Sequence, residues 1–228
     1  MAGNETSIPK IGVLAPTYNR PDLARFMALQ MANQTLRPHV LCMHQNGPGE
    51  SYAWTVRDIR TDIDIRWLHT PRRIAQEEWY AVPLERLIAE DCTHFFWCDH
   101  DDIYDATHMA RGMAALNAGP FDFCINGRAG LLLLTPLYHF DPAIRFTHHD
   151  PGGMSSSMCF NRAFAVNLLK DLRANHGALA YADQVLNRVT KPKFRCAVTD
   201  AAPSTTYVCH PDTVSSSHWL LQSSIFAL

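Results

Sequence analysis

The 228 residues, 47% hydrophobic and 18% charged, suffice for one substantial core and are too apolar for a disordered segment. Twenty basic against 22 acidic residues leave a formal net charge of −2, which speaks against nucleic acid or an anionic membrane surface as the partner. Seven cysteines without a C-x-x-C pair exclude a disulfide framework and fit reduced thiols in a cytosolic protein.

In chain order, Lys10 to Ala15 reads as a short apolar strand stopped by Pro16. Pro21 suits the first turn of a helix, and Leu23, Phe26, Met27 and Met31 recur there at helical spacing. Val40 to Met43 is the next strand, closed by the turn Asn46-Gly47-Pro48-Gly49. Ile63, Ile65 and Trp67 alternate with Asp64 and Arg66 over Ile63 to Leu68, a strand period. A helix follows over Ala75 to Glu90, then a fully buried strand, Phe95 to Cys98. Asp105 to Leu116 carries Met109, Met113 and Leu116 on one helical face, ended by Gly119-Pro120. This rhythm predicts an α/β fold with a mainly parallel sheet. From about Phe121 the pattern is mixed: strands at Phe123 to Ile125 and Leu131 to Leu134, then a helix capped by Asn161 with Phe164, Leu168 and Leu172 on one face. A second short helix at Ala182 to Val189 and a last strand at Thr205 to Cys209 follow. The expectation is one domain over 1–228, its halves meeting near residue 120 and packed on one another.

Asp99, Asp101 and Asp102 follow directly on His94-Phe95-Phe96-Trp97-Cys98. Ligands of open α/β sheets bind outside the carboxyl ends of strands, and residues two apart in extended chain point the same way, roughly 6.5–7 Å apart. Asp99 and Asp101 are therefore placed to face one ligand, and an oxygen-seeking divalent cation would relieve their repulsion. A solvated acidic turn accounts for the same residues equally well.

The segment Ile11-Gly12-Val13-Leu14-Ala15-Pro16-Thr17-Tyr18-Asn19-Arg20-Pro21 resembles the opening strand and loop of glycosyltransferase family 2, whose members have the GT-A fold. Trp97-Cys98-Asp99-His100-Asp101-Asp102-Ile103-Tyr104 resembles that family's D-x-D segment. The likeness implies that Pro16, Thr17, Tyr18 and Arg20 bind the nucleotide donor. It also implies donor contacts from Asn46, Arg73, Asp99 and His100, and from Gln45, which stands where the family usually has an acidic residue. Uridine is the favoured base. Asp101 would bind the cation directly, while Asp102 orients the loop. Gly152-Gly153-Met154-Ser155-Ser156-Ser157-Met158 resembles the small-residue stretch beneath the donor sugar. Ala182-Asp183-Gln184-Val185-Leu186-Asn187-Arg188 matches the family's Glu-Asp-x-x-Leu-x-Arg helix start with Ala182 in place of Glu, which implies Asp183 as general base. Tyr207-Val208-Cys209-His210 resembles a C-terminal Tyr-x-x-His, implying His210 as a late metal ligand and manganese over magnesium.

The resemblance thus implies an inverting, metal-dependent transfer of sugar from a nucleotide-diphosphate donor to an acceptor hydroxyl in polysaccharide or glycoconjugate synthesis. The Gln-x-x-Arg-Trp segment of processive members is missing, so a non-processive enzyme is expected. The polar stretch Met1 to Lys10 is unlike a signal peptide, and the longest aliphatic run, Leu131 to Leu134, is far short of the roughly 20 residues that span a bilayer. A cytoplasmic protein is expected, peripheral at the inner membrane surface where its carbohydrate acceptor is lipid-linked. Three alternatives stand beside it. A nucleotidyltransferase normally carries a Gly-rich loop where this chain has Pro16-Thr17-Tyr18-Asn19. A phosphohydrolase would use Asp99, Asp101, His148 and His149 as a two-metal site. A non-catalytic nucleotide-sugar-binding domain would account for Gln45 and Ala182. Neither a Walker loop nor Gly-x-Gly-x-x-Gly occurs, which excludes P-loop kinases and NAD enzymes.

Overall fold

Strand β1 (Ile11–Thr17) is buried along its whole length, and so is its parallel neighbour β2 (Val40–Asn46). Each begins as an apolar run because both of its faces are covered, and each ends in buried polar residues, Thr17 in β1 and His44 to Asn46 in β2. The side chains alternate between two core layers: Ile11, Val13 and Ala15 of β1 and Leu41 and Met43 of β2 enter one layer. Leu14, Val40 and Cys42 enter the other. The computed structural model from which this description comes covers residues 9–134, 140–149, 155–177, 181–199 and 204–209, with backbone only for 128–134, 140–149 and 209.

After β1 come α1 (Pro21–Ala32), β2, β3 (Asp64–Thr70), α2 (Gln76–Ala89), β4 (His94–Trp97), the short β5 (Ile103–Tyr104) and α3 (His108–Asn117). The later part holds β6 (Phe123–Asn126), β7 (Arg128–Leu134), β8 (Phe140–His149), β9 (Cys159–Asn161), α4 (Arg162–Ala174), α5 (Ala182–Val185), β10 (Cys196–Thr199) and β11 (Thr205–Cys209). Seven strands form one sheet in the order β10-β6-β9-β4-β1-β2-β3. All neighbours are parallel except β9, which runs antiparallel to both β4 and β6. A smaller sheet has the order β5-β11-β7-β8. Strands β6, β9 and β10 extend the sheet begun by β1 to β4.

Most expected elements appear with shifted ends. The first strand does not stop at Pro16 but runs to Thr17. Leu14 O accepts from Cys98 N at 3.1 Å, so the even-numbered residues of β1 direct their backbone groups toward β4. Pro16 also points that way, but β4 pairs with β1 only as far as Leu14. Its missing N–H therefore costs no ladder bond. Asn161 caps α4 as expected, its side chain accepting from Phe164 N at 2.9 Å, and Phe164, Leu168 and Leu172 are fully buried. The helix begun by α5 continues as a wide π turn over Leu186–Thr190. Among the described residues no helix is long and apolar enough to cross a membrane.

Candidate active site

The parallel strands β1 to β4 end on one edge of the large sheet, and Tyr18, Gln45, Asn46 and Asp99 stand at the ends of β1, β2 and β4 there. Tyr18 follows β1 and is 39% exposed. Its ring lies against Gly47, where a Cβ would come within 2.5 Å of it, and Gly47 holds φ +122°, a conformation that favours glycine. Trp79 of α2 lies parallel to Tyr18, with ring centroids 6.2 Å apart and planes 2° from parallel. Arg20 is half-buried beside this pair in sequence, and Arg73 is exposed.

Other residues of the same loops face inward. Pro16 is buried, and Thr17, 2% exposed, shares its hydroxyl with Tyr52 Oη at 2.9 Å. Gln45, expected to hold the base, is 3% exposed and engaged at both ends of its amide. Its Nε2 donates to Glu50 O and its Oε1 accepts from Tyr52 N, both at 3.0 Å. Its amide supplies both a donor and an acceptor and so staples the loop after β2. Asn46, next along, is 1% exposed, and neither Nδ2 nor Oδ1 has a hydrogen-bond partner in the chain. A buried amide without partners is costly.

The acidic cluster follows β4. Asp99 Oδ1 accepts from Tyr80 Oη at 3.0 Å and from Trp97 Nε1 at 3.3 Å, and those two aromatic rings stack with centroids 4.0 Å apart. Asp102 is fully buried and orients the loop as expected, its Oδ1 accepting from Val208 N of β11 at 3.2 Å. Gln30 of α1 clamps the same turn, donating to Asp102 O and accepting from Tyr104 N. Asp183, at the start of α5, has an accessible side chain yet is ringed by protein. Burial raises its pKa, against the pull of Ser155 and Lys191. For Asp99, burial comes first, then the charges of Asp101 and of Asp183, and together they hold its carboxyl well above the usual range. Tyr80 is raised by burial and then by Asp99, Asp183 and Asp101 in turn. Two neighbouring carboxylates, Asp99 and Asp101, and a third from far along the chain, Asp183, thus act electrostatically on one phenol.

Like charges so placed raise one another's pKa. Among the described residues no group of three or more His, Cys, Asp or Glu is arranged to hold a metal by itself. His210, the expected further ligand, lies outside the described residues, as do the side chains of His148 and His149. His100 sits half-buried within the loop.

Two features were not anticipated from the sequence. Tyr80 holds Asp99. Trp79 is fixed by a proline and a histidine: Pro83 lies inside α2 and lacks the N–H that would bond Trp79 O. That carbonyl is met by His44 Nδ1 at 3.1 Å, while His44 Nε2 meets Thr70 Oγ1 at 3.0 Å. Burial lowers the His44 pKa, so the neutral ring donates at Nδ1 and accepts at Nε2. A proline within an otherwise helical pattern was the available signal.

No family model matches the sequence, and no curated protein matches it. Solved structures do match the fold. The S. aureus TarS 1-349 structure in complex with UDP superposes with a TM-score of 0.65 at 14% identity, covering 89% of this chain and 61% of that one. The TarS 1-349 complex with UDP-GlcNAc gives 0.65 at 13% identity, covering 91% and 61%. The longer S. aureus TarS structure gives 0.66 at 12% identity, covering 94% and 40%. This chain therefore spans well under two thirds of the TarS chains it matches. At such identities the likeness concerns the fold alone: a mostly parallel, helix-flanked α/β sheet shared with those TarS structures.

Proposed function

We propose that this chain is a nucleotide-sugar-dependent glycosyltransferase that moves a sugar, with inversion and without processivity, onto an acceptor hydroxyl. What supports this reading is that Asp183, far along the chain, lies near enough to act electrostatically on Asp99, just past the end of β4. The fold, shared with TarS structures holding UDP and UDP-GlcNAc, supports a transferase and a uridine donor.

Tyr18 offers an exposed ring face for the base. The unpaired Asn46 amide matches the imide edge of uracil, donating from Nδ2 to a ring carbonyl and accepting at Oδ1 from the ring N–H. Arg20 and Arg73 would supply positive charge toward the diphosphate, and His100 a further donor contact. Asp183 would take the acceptor hydroxyl's proton as the new sugar–oxygen bond forms and the sugar–phosphate bond breaks, the electron pair leaving with the diphosphate. General-base help of this kind contributes typically about 10²–10⁴ in rate. Its raised pKa brings Asp183 nearer to neutrality as a base. Tyr80 and Trp97 hold Asp99 so that the crowded carboxylates keep their places. Mn²⁺ or Mg²⁺ would be held by Asp101, with His210 as a further ligand, and when bound would neutralise charge on the departing diphosphate. The setting proposed is cytoplasmic polysaccharide or glycoconjugate synthesis, at the inner membrane surface where the acceptor is lipid-linked.

Melting the protein with UDP, GDP or dTDP, with and without Mn²⁺, tests the reading. UDP with Mn²⁺ at about 100 times its Kd should stabilise by about 2.7 kcal/mol. Asp183→Asn should keep that stabilisation while turnover falls by about 10²–10⁴. Near-normal turnover in a folded Asp183→Asn protein refutes the base. Phosphate release from simple esters without any sugar acceptor would favour a phosphohydrolase instead.

A further inference from the structure

One carboxylate near the candidate site has no role in the scheme above. Glu77, in the first turn of α2, is 3% exposed, its Oε1 has no hydrogen-bond partner, and no described residue pairs with its charge. The acidic residues around it are matched: His176 Nε2 lies 3.2 Å from Glu78 Oε1, and Arg173 pairs with Glu85 at 2.5 Å. Glu77, Glu78, Glu85, Arg173, His176 and the apolar Leu172 line a groove of about 410 Å³ between α2 and α4, within the range of small-molecule sites. The α2 amino terminus offers Glu77 some favourable field, yet a buried carboxylate without a partner still carries a desolvation cost. A cation entering the groove would remove it.

We infer that the groove binds a protonated primary amine carried by the acceptor, with Glu77 as its counter-charge. An ammonium brings three donors to a carboxylate that has none, and the apolar side of the groove suits the carbon attached to it. The described residues offer no arrangement for a metal ion here. The groove also adjoins the candidate site, because Gln76 Oε1, one residue before Glu77, accepts from Ala182 N at 3.0 Å, one residue before Asp183. That bond ties the start of α2, where Glu77 stands, to the start of α5, where Asp183 stands. The inference rests on the transferase reading only in naming the amine-bearing molecule an acceptor.

The test is calorimetric titration at pH 6.5, without nucleotide, of the glucosamine trisaccharide and of its fully N-acetylated counterpart. The amine form should bind at least about 10-fold more tightly. Glu77→Gln should reduce its affinity to that of the acetylated form, while the UDP-induced melting shift stays unchanged. Equal binding of the two trisaccharides, or undiminished amine binding in Glu77→Gln, overturns the inference. The UDP arm separates the two readings: amine selectivity without a UDP shift supports the groove and refutes the transferase, and a UDP shift without amine selectivity does the reverse.

Discussion

Replacing His44 tests whether this side chain stands in for the hydrogen bond that Pro83 denies to α2. His44→Leu keeps a similar volume but leaves Trp79 O without its 3.1 Å partner and Thr70 Oγ1 without its 3.0 Å one. His44 is fully buried, so water does not easily replace it. An unsatisfied buried carbonyl costs about 1–3 kcal/mol, and the half-buried threonine hydroxyl adds less. The expected loss in urea unfolding is about 2–4 kcal/mol. In a Pro83→Ala background, the N–H of residue 83 closes the normal helical bond to Trp79 O. The same His44→Leu change should then cost about 1–2 kcal/mol less. The readout is therefore a double-mutant cycle. Strictly additive effects, with coupling under about 0.5 kcal/mol, would refute the substitution of one hydrogen bond by the other.

The His108 ring is 2% exposed and meets Ser204 Oγ at 3.0 Å. Burial chiefly pushes its pKa down to about 4, with Asp105 raising and Arg111 lowering it further. The unfolded ring takes a proton below about pH 6.5 and the folded one does not, so this group's contribution to stability falls as pH drops through that window. At pH 5 the loss amounts to about 2 kcal/mol, and His108→Gln should show a smaller drop in urea stability between pH 7 and pH 5 than the parent. Asn161→Ala removes the α4 cap and should cost about 1 kcal/mol in the same assay; no change would mean that Phe164 N finds another acceptor. Gly47→Ala puts a methyl into the Tyr18 ring at a backbone conformation suited to glycine. It should lower Tm and shrink the UDP melting shift, and an unchanged shift would remove Tyr18 from the nucleotide site.

How much of the site could be read in advance differs residue by residue. The acidic run after Phe95-Phe96-Trp97 was visible because a buried strand and the polar residues that end it are neighbours in the chain. Asp102 was legible as the loop's anchor for the same reason. Gln45 was not, since whether an amide turns outward or staples its own loop depends on where Glu50 and Tyr52 come to rest. Glu77 read as one acid among several at a helix start, and only the paired state of Glu78 and Glu85 sets it apart.

The sequence by itself determined the alternation of strand and helix, the buried strand over Phe95 to Cys98, the Asn161 cap and the carboxylates at a strand end. Each follows from periodicity or chemistry within a few residues, which the chain cannot avoid wherever it folds. Only the tertiary structure decided that β9 runs antiparallel between β4 and β6, that β1 continues through Pro16, and that Tyr80 holds Asp99. Those outcomes turn on which distant groups exclude water from one another, and burial of that kind is a property of the assembled layers.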